Sequence, residues 1–444
     1  MDSHIPIRIF AYGIYGICAY IAYLNNRKYN HIFLSSIFTF MVVVYHGFSD
    51  FINLLFPDFA FYRINYYSDL SEDYAASYGL TIAIGLLFFS IYSIFSLPFL
   101  VHQKQNYWVD NYLSIKFRFS KLLIVLSYFL FIVSYSFKTG ETNNNIFLDI
   151  LVSFSVFFFL LMNVFIIQKY ISPKLIVPTV IIIILFLLPQ ASRFNLISSI
   201  ITLTILLLKG PKKIYISRNI PIFVPLLVLS SIVITQIRQI IGRDIFIEST
   251  KLSERLNAIS NAEYYYASQT GNDLIESTKT DFVYRLDANA SGILAEYTFA
   301  FEPLGIGPTL TALQLTIPSF FWEQKASLSL NEETAIKVLL NRYDDIDLTV
   351  GVLGSILLQS GFLFFWLIMI FLSIILLKID SILFSLNSPL KFLIYVSLLK
   401  ILFFYESNLT GIFLGLRTTI ICILIIYFFL KISINRNPAK HMII

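Results

Sequence analysis

Apolar runs long enough to cross a lipid bilayer recur from one end of this chain to the other. A helix rising 1.5 Å per residue needs about 20 apolar residues to traverse the ~30 Å hydrocarbon core. Such runs lie near residues 5–24, 31–55, 76–101, 121–137, 146–168, 174–189, 193–208, 220–237, 348–377, 390–405 and 409–430. The pair 174–189 and 193–208 is short and interrupted by Pro189, Gln190, Ser192 and Arg193, so a helical hairpin or a partly re-entrant element is an alternative there. Charged residues make up only 13% of the 444 and hydrophobic ones 57%. A soluble protein clothes its surface with about 25% charge, so a string of soluble domains is excluded. The expected fold is an all-α polytopic membrane protein with about eleven transmembrane helices. Cys18 and Cys422 both fall inside apolar runs, which excludes a disulfide framework or thiolate metal site. The first run has no basic leader and no clear cleavage site, and is expected to be retained as a span.

The net charge of +5 points to an acidic partner only if the basic residues form a continuous stripe. They fall instead in alternate short connections: Arg27 and Lys28; Lys104, Lys116, Arg118 and Lys121; Lys169 and Lys174; Lys209, Lys212, Lys213 and Arg218; Lys378 and Lys391; Lys431, Arg436 and Lys440. The opposite connections carry only Arg8, Arg63, Lys138 and Arg193, beside acids such as Asp58, Asp69, Glu72, Asp73 and Glu141. By the positive-inside rule the first set is cytoplasmic, so the chain starts outside and ends inside. No nucleic-acid partner is expected.

One connection is too long to be a turn. Residues 238–346 form a net acidic segment which the alternation places outside the membrane. The expected organisation is eight spans over 1–237, a large extracytoplasmic loop containing amphipathic helices over 238–346, and three spans with a cytoplasmic tail over 347–444. Arg238 and Arg243 open the loop, and two guanidinium groups five residues apart suit either a diphosphate or the anionic lipid surface. Asp281 to Ala300 reads as an amphipathic helix with Leu286, Ala290, Ile293 and Tyr297 on one face and Asp281, Arg285, Asn289, Gly292 and Glu296 on another, Asp287 flanking. That polar stripe is either a functional face or a solvated one held by an Asp281–Arg285 pair.

Glu302 to Pro308 reads as a turn, because its two glycines lack the Gly-Lys-Ser/Thr ending of a phosphate loop. The apolar stretch from Thr309 to Phe321 is too short for a span and reads as interfacial or re-entrant. Trp322 with Lys325 has the pattern of an interfacial anchor. Asp345-Ile-Asp347 has the form of a metal-holding carboxylate pair of nucleotide-sugar transferases, but its outer location favours a hydrated approach to the ninth span.

An ionisable residue within a span costs about 2.5–3.5 kcal/mol on insertion scales, so each is a functional candidate. Arg417 is the clearest, with Glu406 and Lys400 near the outer end of the tenth span as structural partners. Arg193 lies near the outer surface. His46 and Asp50, four apart, are expected to share a helix face, either as a base and its orienting carboxylate or as a packing contact. No metal-ligand spacing occurs, so neither a metal nor another cofactor is expected.

Taken together, these features resemble the O-antigen and exopolysaccharide repeat-unit polymerases. The resemblance lies in the span count, the large outer loop before the last three spans and Ser192-Arg193-Phe194 opening a span. Within the loop it lies in Arg285-Leu-Asp287, Gly305 and Gly307, and Ile317-Pro-Ser-Phe-Phe-Trp-Glu-Gln-Lys325. The chain departs from the pattern at Ser319, where arginine often follows the proline, and lacks a proline after Lys325.

The resemblance implies a membrane glycosyltransferase of the bacterial inner membrane. Its substrate would be an undecaprenyl-diphosphate-linked oligosaccharide and its setting membrane lipid, with a chain-length regulator as a further partner. Asp287 or Glu296 would then act as base beside Arg285, and Arg193, Arg238, Arg243 and Arg417 would hold the diphosphate. The alternatives are a flippase of the same lipid-linked unit, an O-antigen ligase, which relies on an outer-loop histidine that 238–346 lacks, and a membrane acyltransferase, for which only His46 could serve.

Overall fold

The computed structural model describes residues 4–29, 31–55, 72–101, 125–132, 171–187, 305–317, 351–384 and 389–403, with Pro303 and scattered helical positions within 155–204 and 409–424. Among these residues the regular structure is helical and no strand occurs. The elements are α1 (His4–Tyr29), α2 (Leu34–Val42), a π-helical segment (Val43–Phe48), α3 (Ser49–Leu55), α4 (Glu72–Val101), α5 (Ile176–Leu187), α6 (Gly307–Leu315), α7 (Gly351–Leu383) and α8 (Pro389–Phe403). Four stretches are long and apolar enough to cross a membrane: His4–Tyr29, Leu34–Ile52, Ala76–Leu100 and Phe364–Leu383. The chain is a helical membrane protein by this measure.

Contacts divide the chain into two units, one of Met1–Asn106, Thr280–Ser385 and Ile401–Arg417, the other of Tyr107–Lys279, Leu386–Lys400 and Thr418–Ile444. The first holds α1 to α4, α6 and α7. On α1, Arg8, Ala11, Ile14, Tyr15, Cys18 and Ala22 are buried at helical spacing. Ile9, Phe10, Ile17, Tyr20 and Tyr23 on its other side are exposed. An apolar surface of that kind suits lipid and would be an association hazard in water.

Hydrogen bonds fix the directions of the helices. The Tyr15 hydroxyl donates to the Gly79 carbonyl at 2.9 Å, and the Asn25 side-chain amide donates to Ser93 Oγ at 3.4 Å, so α1 and α4 run the same way. Ser373 donates to the Phe89 carbonyl at 3.1 Å and Ser381 to that of Leu100 at 3.0 Å, so α7 runs parallel to α4. Conversely, Ser36 bonds to Ala22 while Gly47 abuts Tyr15 and Tyr12 bonds to Asp50, which makes the α2–α3 stretch antiparallel to α1.

Packing between helices in lipid depends on small residues and on polar pairs rather than on apolar burial alone. Gly85 shows this at the α4–α7 contact, where an added Cβ would lie 2.6 Å from a Phe365 ring carbon and 3.2 Å from Met369 Cγ. Around it lie the buried Tyr78, Ile82, Leu86, Phe89, Leu353 and Met369.

The turn between α1 and α2 is held from a distance. The fully buried Asp380 of α7 accepts from the Leu34 N–H at 2.7 Å, the Ser35 N–H at 3.0 Å and the Ser35 hydroxyl at 2.6 Å. The N-cap position of α2 is Phe33, which has no capping side chain, so a carboxylate from α7 serves the orphan donors of the first turn. Phe33, Leu97, Leu377 and Phe384 pack beside it.

In the second unit Tyr128 donates to Asn163 Oδ1 at 2.6 Å, and the Asn163 amide donates back to the Phe159 carbonyl at 2.8 Å. Phe131 stacks on Phe159 with centroids 4.4 Å apart. Helix α5 follows a 3-10 turn over Pro173–Leu175, with Pro173 supplying the fixed φ of a helix start. Its 12 residues rise only about 18 Å, short of the hydrocarbon thickness.

The structure alters the ninth expected span. Rather than one helix over 348–377, α7 continues to Leu383 and is broken at Gly361, and Lys378 lies within its helical course. The run 220–237 and nearly all of the loop 238–346 fall outside the described residues.

Candidate functional site

The break in α7 lies beside the polar contacts made by α6. Gly361 has φ 66 and ψ 176, a conformation essentially restricted to glycine. A Cβ placed there would also lie 3.4 Å from Pro303 Cβ, which belongs to the 238–346 segment. Before the break, Val352, Leu353, Ser355, Leu357, Leu358 and Gln359 are all buried. After it, Phe364, Leu367 and Phe371 form an exposed apolar ridge at spacings of three and four.

Helix α6 lies against this region and is tied at both ends. Gly305, at φ 69, makes the turn that admits it, and Pro308 occupies its first turn. The Thr309 hydroxyl donates to Gln359 Oε1 on α7. At the other end Arg417 Nη1 donates to the Thr316 carbonyl at 3.4 Å. A cation at a helix C-terminus serves an orphan carbonyl and meets the negative end of the helix dipole. Arg417 is thus half-buried against α6, with one of the five guanidinium N–H donors engaged there. Ile306, Leu310, Leu313 and Ile317 of the same segment are exposed, which agrees with a short apolar element rather than a span.

A second polar cluster joins α1 to α3. Tyr12 donates to Asp50 Oδ2 at 2.6 Å, and Arg8 Nε lies 3.6 Å from the same oxygen, both charges being nearly sequestered. The π segment between α2 and α3 widens one turn just before Asp50, a feature frequent at functional sites. His46 within it is fully buried and packs on Tyr78, the centroids 5.9 Å apart. His46 and Asp50 both lie in this buried region, where Asp50 meets Arg8 and Tyr12 of the neighbouring helix.

Of the expected site residues, Arg417 alone falls among the described ones. Asp287, Glu296, Arg285, Arg193, Arg238 and Arg243 lie outside them. Among the described residues no three His, Cys, Asp or Glu side chains come together to hold a metal. The sequence reading missed Gly361, Gln359 and Asp380. The polar triplet Gln359-Ser360-Gly361 inside an apolar run was the available signal for the break. Comparison with protein-family models, curated proteins and solved structures returned no match.

Proposed function

We propose that this protein is a membrane glycosyltransferase joining undecaprenyl-diphosphate-linked oligosaccharide units into O-antigen, capsule or exopolysaccharide chains on the outer face of the bacterial cytoplasmic membrane. A hydroxyl of the incoming unit attacks the anomeric carbon of the growing glycan. The bond from that carbon to the carrier diphosphate breaks, and the diphosphate leaves with the electron pair. A carboxylate, Asp287 or Glu296, takes the hydroxyl proton. Arg285 and the group of Arg193, Arg238, Arg243 and Arg417 stabilise the charge that develops on the leaving group.

The observation that carries this reading is Arg417, a guanidinium within an apolar run, set against a short apolar helix from within the long loop. The directions of the helices support the same topology. Two parallel spans need an odd number of crossings between them, and the apolar runs between α4 and α7 supply five, or three where the short pair 174–189 and 193–208 does not cross.

The test is a gel of surface glycan from a strain lacking the protein. Loss of the long-chain ladder with single units retained supports polymerisation, whereas loss of single units as well supports a flippase. Retention of the full ladder sinks the proposal.

A further inference from the structure

We propose that Gln359 is a positioning residue for Arg417, setting through helix α6 where that guanidinium stands for a lipid-linked diphosphate. The chain of contacts is continuous within one unit of the fold. Gln359 Oε1 on α7 accepts from the Thr309 hydroxyl in the first turn of α6. About 10 Å of helix further on, the Thr316 carbonyl at the C-terminal cap accepts from Arg417 Nη1 at 3.4 Å.

The direction of control follows from burial. Gln359 is 9% exposed and stands on a stretch of α7 whose Val352, Leu353, Leu357 and Leu358 are buried, so its side chain starts from an anchored backbone. Helix α6 has no such anchorage of its own. Among its described side chains only Ala312 is buried, while Leu310 and Leu313 are exposed. Helices in lipid are held by polar pairs and close fit, and one alanine methyl does not fix the rotation or height of a nine-residue helix. The Thr309–Gln359 bond fixes both at one end, and Pro303, beside Gly361, holds the chain that leads into it. A guanidinium presents its donors in a rigid planar fork, so a shift of the Thr316 carbonyl re-aims the donors that α6 does not engage.

This inference rests on the proposed role of Arg417 as a cation that holds the diphosphate. The experiment is native mass spectrometry of the full chain in detergent, with undecaprenyl diphosphate and undecaprenol as probes. Thr309→Val removes the donor while keeping the shape, Gln359→Leu removes the acceptor, and Thr309→Ser keeps the hydroxyl. Thr309→Val and Gln359→Leu should each weaken undecaprenyl diphosphate about tenfold, the weight of a hydrogen bond to a charged group, and leave undecaprenol unchanged. Thr309→Ser should bind as the wild type does. In an Arg417→Ala background, itself weakened for the diphosphate, neither substitution should have a further effect, because residues that act as one chain are not additive.

Full additivity with Arg417→Ala would overturn the positioning role. So would equal losses for both lipids, which mark a general loss of fold, or wild-type affinity in Thr309→Val and Gln359→Leu while Arg417→Ala is weakened. Unchanged diphosphate affinity in Arg417→Ala would overturn it together with the assignment of Arg417 to the diphosphate. A normal glycan ladder in the deletion strain beside headgroup-selective, non-additive losses would overturn the polymerase reading and leave the positioning role standing.

Discussion

Single residues carry the sharpest consequences because this chain has so few polar groups to spend. At Gly361 the backbone itself is the constraint: alanine there would have to hold φ 66 and meet Pro303. Gly361→Ala should therefore cost about 1–3 kcal/mol, read as a lower thermal midpoint of the purified protein, and an unchanged midpoint would show that the break can be rebuilt as continuous helix. Asp380 acts differently, as a shared cap. Asp380→Ala leaves two buried N–H groups at the start of α2 unserved and should destabilise by about 2 kcal/mol or more. Asp380→Asn keeps one acceptor oxygen and should recover part of the loss. Asp50→Ala removes the carboxylate beside Arg8 and the acceptor of Tyr12 in a nearly dry setting, and breaking a buried pair of this kind costs about 3–5 kcal/mol; a wild-type midpoint would mean that the pair contributes nothing. Arg417→Ala is expected to abolish the long-chain ladder while protein remains in the membrane, and Arg417→Lys should restore it only weakly, because an ammonium lacks the planar guanidinium fork.

At the scale of elements, the contacts depend on how closely backbones approach. Gly85 lets α4 meet Phe365 and Met369 of α7, and Gly47 lets the π segment meet Tyr15 of α1, where an added Cβ would lie 2.8 Å from a ring carbon. Gly85→Leu should separate α4 from α7 and lower the yield of folded protein in detergent more than Gly79→Leu, since a Cβ at Gly79 meets nothing within 4 Å. Equal yields would show that α7 can slide along α4. Apolar run length alone made the existence of these helices legible: the runs near 5–24, 31–55 and 76–101 coincide with α1, with α2 to α3 and with α4. Their partners were not legible, because lipid-facing and protein-facing positions in a span are equally apolar. Phe95 and Phe89 are the same residue type on one helix, yet the first is largely exposed and the second buried.

For the molecule as a whole, the question is what an apolar chain reveals before it folds. A charge content of 13% and run lengths near 20 residues determined that this is a helical membrane protein, because the bilayer sets both rules independently of sequence detail. They also singled out Arg417, since a lone guanidinium in an apolar run is expensive wherever it packs. Only the tertiary structure decided which polar groups meet. Asp380 reaches Leu34 across more than three hundred residues of chain, Asp50 meets Arg8 and Tyr12 of the neighbouring helix, and α6 is pinned between Gln359 and Arg417. The physical reason is that composition and run length fix that a helix enters the bilayer, whereas a hydrogen bond between distant helices depends on register and approach within a few tenths of an ångström, and no local pattern encodes that.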